Sequence, residues 1–197
     1  MRKLIVSEFV TLDGVMQAPG GADEDRSGGF EYGGWQMSYH DEVFGNFIVE
    51  GIAGAGGFVL GRKTYDIFAG YWPTAPDEEG AVREPLNNLP KFIASKTLRD
   101  PLPWNNSTVI KGDLAAGIRE LKKENGNHLL VIGSGNLVQS LIQNDLVDEY
   151  RVMIHPLILG GGARLFGEEN PKRTLELVDT TVSTTGVVLA TYRPSEK

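Results

Sequence analysis

Three short stretches of the chain each run from an apolar strand into a polar or glycine-rich turn. Phe58-Val59-Leu60 leads into Gly61-Arg62-Lys63-Thr64, Phe92-Ile93-Ala94 into Ser95-Lys96, and Leu130-Val131-Ile132 into Gly133-Ser134-Gly135-Asn136-Leu137. In open α/β sheets, turn amides and helix N-termini beyond the carboxyl ends of strands offer unpaired donors and a partial positive charge. Three such turns suit a ligand with several phosphates, and a dinucleotide cofactor is the natural candidate. Arg62, Lys63 and Lys96 could together grip a 2′-phosphate, which favours NADPH over NADH. The third glycine of the dinucleotide fingerprint is absent, Val138 standing in its place, so a plain strand-to-helix turn is the alternative at 133–137. Gly56 and Gly61 mimic a P-loop, but Arg62 intrudes before Lys63 and the glycines flank a strand instead of following it, which argues against an ATPase.

Hydride delivery to a polar double bond also needs a proton. Asp13, Asp41 and Glu42 lie on either side of a long glycine-rich segment, and a buried carboxyl there could relay a proton, since burial raises its pKa toward working pH. Asp13, at the end of the first strand, is the first candidate for the catalytic acid and Asp41 the second. Each has a structural alternative, Asp13 as a turn former and Asp41 as the start of a helix. Residues 14 to 38, with Phe30, Tyr32, Trp35 and Tyr39 in or beside them, read as a substrate lid, with packing over the core as the alternative. His40, His128 and His155 show no ligand spacing, so no metal is expected, and no Tyr-x-x-x-Lys of a short-chain dehydrogenase occurs.

The elements that must hold these residues follow from hydrophobic period. Runs rich in Val, Ile, Leu and Phe predict eight strands near 3–10, 57–61, 91–95, 107–111, 128–132, 148–156, 173–183 and 186–193. Helical spacing of Val43, Phe44, Phe47, Ile48 and Ile52, of Leu114, Ile118 and Leu121, and of Leu137, Leu141 and Ile142 predicts helices between them, and a short one starts at Arg62. Asp113 is placed to cap the second of the three. Strand–helix alternation up to about residue 147 implies a largely parallel sheet covered on both faces. The last two strands leave no room for a helix and should form an antiparallel hairpin at Thr184-Thr185-Gly186.

The 197 residues read as one domain, 1–197, with 41% hydrophobic and 23% charged residues. Net charge is −7, which disfavours nucleic acid and anionic membranes as partners, so an anionic ligand must be met by local cations. The absence of cysteine removes disulfides, thiolate metal sites and cysteine nucleophiles, and points to the cytoplasm. The apolar start at Leu4-Ile5-Val6 is too short for a signal peptide, and no segment is long and apolar enough to span a membrane.

Thr11-Leu12-Asp13-Gly14, Gly61-Arg62-Lys63-Thr64-Tyr65, Ile132-Gly133-Ser134-Gly135, and Leu146-Val147-Asp148-Glu149-Tyr150 running to His155-Pro156 and Leu159-Gly160-Gly161-Gly162 together resemble the dihydrofolate reductase-like proteins. The resemblance is to their riboflavin-biosynthesis reductase branch, the RibD C-terminal domain, over nearly the whole chain. It implies a three-layer α/β/α sandwich around a mixed, mostly parallel eight-stranded sheet ending in an antiparallel hairpin. It also implies NADPH binding at Gly61 to Thr64, Ser95, Lys96 and Gly133 to Leu137, and a homodimer. The implied activity is hydride transfer to a small heterocyclic or sugar-like substrate, as in 5-amino-6-(5-phosphoribosylamino)uracil reductase. Dihydrofolate reduction and non-catalytic NADP binding are the alternatives. Two departures bear on the substrate: Gly45 falls where dihydrofolate reductases carry an acid, and Ile132 where the riboflavin reductases usually carry a glutamate.

Overall fold

The computed structural model describes residues 1–167 and 170–195. Its strands are β1 (Leu4–Thr11), β2 (Gly57–Gly61), β3 (Lys91–Ala94), β4 (Ser107–Val109), β5 (Leu129–Ile132), β6 (Glu149–His155), β7 (Leu175–Val182) and β8 (Val188–Pro194). They form one sheet in the order β4-β3-β2-β5-β1-β6-β8-β7. The first six are parallel; β8 runs antiparallel to β6, and β7 to β8. All eight expected strands are present within about two residues, and the expected hairpin closes the sheet. Its turn is made by Gly186 at φ 87, whose amide donates to the Ser183 carbonyl at 3.0 Å.

The helices are α1 (Glu42–Ala53), α2 (Arg62–Tyr71), α3 (Gly80–Asn88), α4 (Leu114–Lys123) and α5 (Gly135–Gln143). Successive side chains of a strand point to opposite faces, so each central strand feeds two cores. Leu4, Val6, Val59, Leu129 and Val131 pack with Ala115 and Ile118 of α4 and with Leu137, Val138 and Leu141 of α5. Ile5, Phe58, Leu60, Ile93 and Leu130 pack on the other face with Ile52 of α1, Tyr65 of α2 and Leu86 of α3. The result is the three-layer arrangement, with α1 to α3 on one face and α4 and α5 on the other.

Helix α3 has no clear apolar stripe in the sequence, contains Pro85 and buries only Leu86, so periodicity does not reveal it. Its carboxyl end is held by a lysine. Lys91, fully buried at the head of β3, donates from Nζ to the carbonyls of Leu86 (2.7 Å), Leu89 (3.0 Å) and Asn87 (3.2 Å), and stands 4.5 Å from the centroid of the Trp104 ring. Burial pushes its pKa down to about 8, while the carbonyl cluster and the indole face favour the charged form at neutral pH.

Candidate functional site

Strands β1 and β5 are adjacent, yet the chain leaves them toward opposite faces of the sheet, β1 toward α1 and β5 toward α5. Their pairing runs from Leu4↔Leu129 to Ser7↔Ile132 and stops there. Such a divergence opens a crevice beyond the carboxyl ends of the strands, the usual ligand position in open α/β sheets. A cleft of about 2020 Å³ lies there. Drug-sized ligands occupy roughly 300–1,000 Å³, so this space is large enough for a dinucleotide and a second small molecule together.

The three turns singled out in the sequence end three neighbouring strands, β3, β2 and β5, and all three line this one cleft. They are also packed against each other. Ser134, in the left-handed conformation at φ 67, accepts the Gly61 amide on Oγ at 2.8 Å. A Cβ on Gly133 would fall 3.0 Å from Thr64 Oγ1, and one on Gly135 would fall 2.9 Å from Met16 Sδ. At Gly133 the left-handed backbone, φ 61, adds to this packing constraint, whereas the flexible Met16 side chain facing Gly135 can give way. Helix α5 starts without a side-chain cap, and the first-turn amides of Gly135, Asn136 and Leu137 have no acceptor among the described residues at the cleft wall, while the Leu137 side chain is buried in the core.

The cations are less uniform than the sequence suggests. Arg62 pairs with Asp66 at 2.6 Å and donates to Thr97 Oγ1 at 2.9 Å, tying the β2 and β3 turns together. Lys63 reaches across to Asp25 (2.8 Å) and Ser27 Oγ (2.9 Å) of the 14 to 38 segment. The Ser95 hydroxyl accepts the amides of Thr97 (3.2 Å) and Leu98 (3.1 Å), shaping its own turn. Lys96 is exposed at the cleft and has no ion-pair partner among the described residues.

The two acids expected to donate a proton are placed for other work. Asp13 does not line the cleft. It accepts from Thr11 Oγ1 (2.6 Å) and from the amides of Gly160 (2.9 Å) and Leu159 (3.2 Å), fastening the 157–164 loop to the end of β1. Those bonds, the Thr11 hydroxyl first, hold its pKa down at about 2. Asp41 does border the cleft, as the cap of α1. It accepts from Thr184 Oγ1 (2.6 Å), the Phe44 amide (2.8 Å) and the Thr185 amide (3.2 Å), and its pKa is likewise held at about 2 by the Thr184 hydroxyl and the amides. Both carboxyls are ionised at neutral pH and have no proton to give.

The 14 to 38 segment borders the cleft, but through Met16 to Gly21, Glu24, Asp25, Gln36 and Met37; none of the four aromatics expected in a lid is among the lining residues. Phe30 and Trp35 are buried in a small core with Val15 and Ala18, and Trp35 donates to the Gln17 carbonyl at 2.7 Å. Trp35 and Tyr39 meet the buried His155 ring edge-on at centroid distances of 5.0 and 5.5 Å, and Tyr32 is exposed. These aromatics anchor the segment as a folded wall, because an imidazole whose pKa burial pushes down presents a largely neutral ring that aromatic edges can cover.

A different acid sits in the crevice. Glu8 is the first residue of β1 beyond its pairing with β5, and its Oε2 accepts the Gly133 amide at 3.0 Å across the gap. It is 4% exposed, its Oε1 has no hydrogen-bond partner among the described residues, and desolvation raises its pKa well above the usual value despite the Gly133 bond. The sequence does hold a signal for it. Leu4, Val6 and Val10 alternate toward one core, and Glu8 is the single acid in that inward-facing series.

Comparison with known proteins places this geometry among relatives. A sequence model of the RibD C-terminal domain matches residues 2–189. The chain is 28% identical over 193 residues to the Bacillus subtilis (strain 168) protein YyaP, covering 97% of this chain and 94% of that one. Among solved structures, a candidate riboflavin biosynthesis protein of Shewanella sp. PV-4 aligns over the full length of both chains with TM-score 0.74 and 23% identity. The dihydrofolate reductase of Enterococcus faecalis, complexed with NADP(H) and RAB-propyl, aligns over 98% of this chain and 97% of its own with TM-score 0.61 and 15% identity. At these identities the structural likeness establishes the dihydrofolate reductase-like fold.

Proposed function

The chain belongs to the RibD C-terminal domain family, and from that premise we propose that it is an NADPH-dependent reductase acting on a small heterocyclic or sugar-like substrate. The observation that carries this reading is the convergence of the β3, β2 and β5 turns on one cleft large enough for cofactor and substrate. The donor set fits a phosphorylated dinucleotide. The amides of Gly135, Asn136 and Leu137 and the amino end of α5 would hold the pyrophosphate, with Thr64 packed behind Gly133 to fix the turn. Arg62 and Lys96 would take the 2′-phosphate, and Lys63 would join them on leaving Asp25. When bound, NADPH supplies the hydride.

The rest of the cleft is walled by α1 residues such as Gly45, Asn46 and Val49 and by Phe68, Tyr71 and Trp72 at the end of α2. Aromatic and apolar walls with a few amide and hydroxyl groups suit a flat heterocycle or a sugar-like chain. The folate alternative has less support here. Gly45 presents no acid, the ring of His40 lies over it so that a Cβ would come 3.1 Å from Cε1, and Asp41 is committed to capping. The ionised state of Asp13 and Asp41 supports the alternative of a non-catalytic NADP-binding protein, unless another group holds the proton. We also propose a homodimer formed through β7.

The decisive experiment is thermal denaturation with NADPH and with NADH, followed by NADPH oxidation against a panel of pteridines, pyrimidines and ketoses. NADPH at 100 times its Kd should stabilise the protein by about 2.7 kcal/mol, and NADH less at the same concentration. No shift with either dinucleotide would overturn the reading. A shift without turnover on any panel member would favour the binding protein.

A further inference from the structure

We propose that Glu8 is the proton donor of this site, a neutral carboxylic acid built into the fork between β1 and β5. The proposal rests on the reductase reading above. Its structural basis is the placement of a carboxyl group where two neighbouring parallel strands part and a ligand's reacting end would enter. Oε2 is committed to the Gly133 amide at 3.0 Å, the first residue of the turn that faces the proposed pyrophosphate. Oε1 is buried with no partner among the described residues. Buried polar atoms are almost always paired, so an orphan oxygen in a cleft wall marks a place where the acceptor arrives from outside the chain.

The surroundings keep the proton on. Val6 and Val10 flank Glu8 on its own face of β1, Val152 is its register partner on β6, and Ile132 at the end of β5 and Gly133 in the turn after it stand across the gap. Of the helices on this face, α5 contributes Leu137, Val138 and Leu141 and α4 contributes Ala115 and Ile118, and the segment after β1 contributes Met16. Tyr150 of β6 is the titratable group buried in this cluster, and burial pushes its pKa up to about 12, so it is neutral; no cation pairs with Glu8 among the described residues. A carboxylate there would be desolvated and uncompensated, so the neutral acid is favoured, in line with the upward push that burial exerts on its pKa.

The step balances without further reagents. A bound reduced dinucleotide would supply the hydride for a new C–H bond at the electrophilic carbon, and the π pair of the C=N or C=O bond would move to nitrogen or oxygen. That atom would take the proton from Oε1, leaving a Glu8 carboxylate to be reprotonated from water before the next turnover. The N–H or O–H formed and the O–H broken account for the proton. Asp13 and Asp41, already ionised, cannot take this part.

Glu8→Gln tests the assignment, because it keeps the acceptor for Gly133 and a neutral head of the same size while removing the acidic proton. Infrared titration of the ligand-free protein should show a protonated carboxyl band at pH 7 in the wild type that is missing from Glu8→Gln. Absence of that difference overturns the proposal whatever the substrate proves to be. With a panel substrate, Glu8→Gln should lower kcat by about 10²-fold while NADPH affinity stays within about threefold. Undiminished kcat overturns the proposal, and so does a loss confined to NADPH affinity, which would make Glu8 a prop for the Gly133 turn. Failure of the wild type to bind NADPH at all overturns the reductase reading instead, a result the infrared band does not depend on.

Discussion

A carboxylate that accepts several hydrogen bonds from hydroxyls and amides is stabilised as the anion, and the same bonds that make it a good fastener make it a poor acid. Asp13 and Asp41 are of this kind, each bonded to one threonine hydroxyl and to two backbone amides. Their folded pKa values of about 2 lie below the ordinary 3.8, so the stabilisation they give is complete above that ordinary value. It is lost as pH falls from near 4 toward 2. Asp13→Asn and Asp41→Asn should therefore lower Tm at pH 7 and flatten its fall below pH 4, with turnover per folded molecule retained. A loss of kcat at unchanged Tm in either variant would return that acid to the catalytic role. The sequence shows where these acids lie along the chain but not what they touch, since Asp13 meets residues 146 and 147 positions away and Asp41 residues 143 and 144 away. Glu8 was legible in principle, as a charge in an apolar alternation, but it draws no notice until the end of the β1–β5 pairing is known.

At the level of elements, the turns and strands were readable because their signals are local. Runs rich in Val, Ile, Leu and Phe mark all eight strands, and Asp113 caps α4 as its position suggests, accepting the Ala116 amide at 2.8 Å. The pairing of cations was not readable, because it depends on how the 14 to 38 segment folds back over α2. Lys96 is the cation with its charge still available, and the 2′-phosphate distinguishes the two dinucleotides. Lys96→Glu should weaken NADPH binding by about tenfold while changing NADH by less, measured by titration calorimetry. Equal losses would assign Lys96 to the pyrophosphate or to the turn. Lys63 offers the opposite case, since its present partner competes with any incoming phosphate. Asp25→Asn should raise NADPH affinity about threefold, the scale of one exposed ion pair. An unchanged Kd would mean that Lys63 stays with the segment when the cofactor is bound.

Over the whole molecule, the sheet has two unlike edges. One ends at β4, a strand of three residues, Ser107–Val109, too short to template another chain. The other ends at β7, eight residues long, with nearly every side chain exposed. Leu177, Val178 and Val182 on that strand are 55%, 45% and 60% exposed, an apolar content unusual for an unprotected edge. The chain carries a net charge of −7, which opposes indiscriminate association, so burying this strand calls for a specific partner. A second copy across a two-fold axis is the simplest one, because a strand edge can pair with its own copy antiparallel and leave neither β7 edge open. β8 and β6 separate β7 from β1, so the contact leaves the β1–β5 crevice open. Light scattering at micromolar concentration should give a dimer mass for the wild type. The double substitution Leu177→Lys and Val182→Lys, which places like charges on the same strand of both copies, should give a monomer whose NADPH affinity is unchanged. A monomeric wild type, or a dimer that survives both lysines, would reject β7 as the interface.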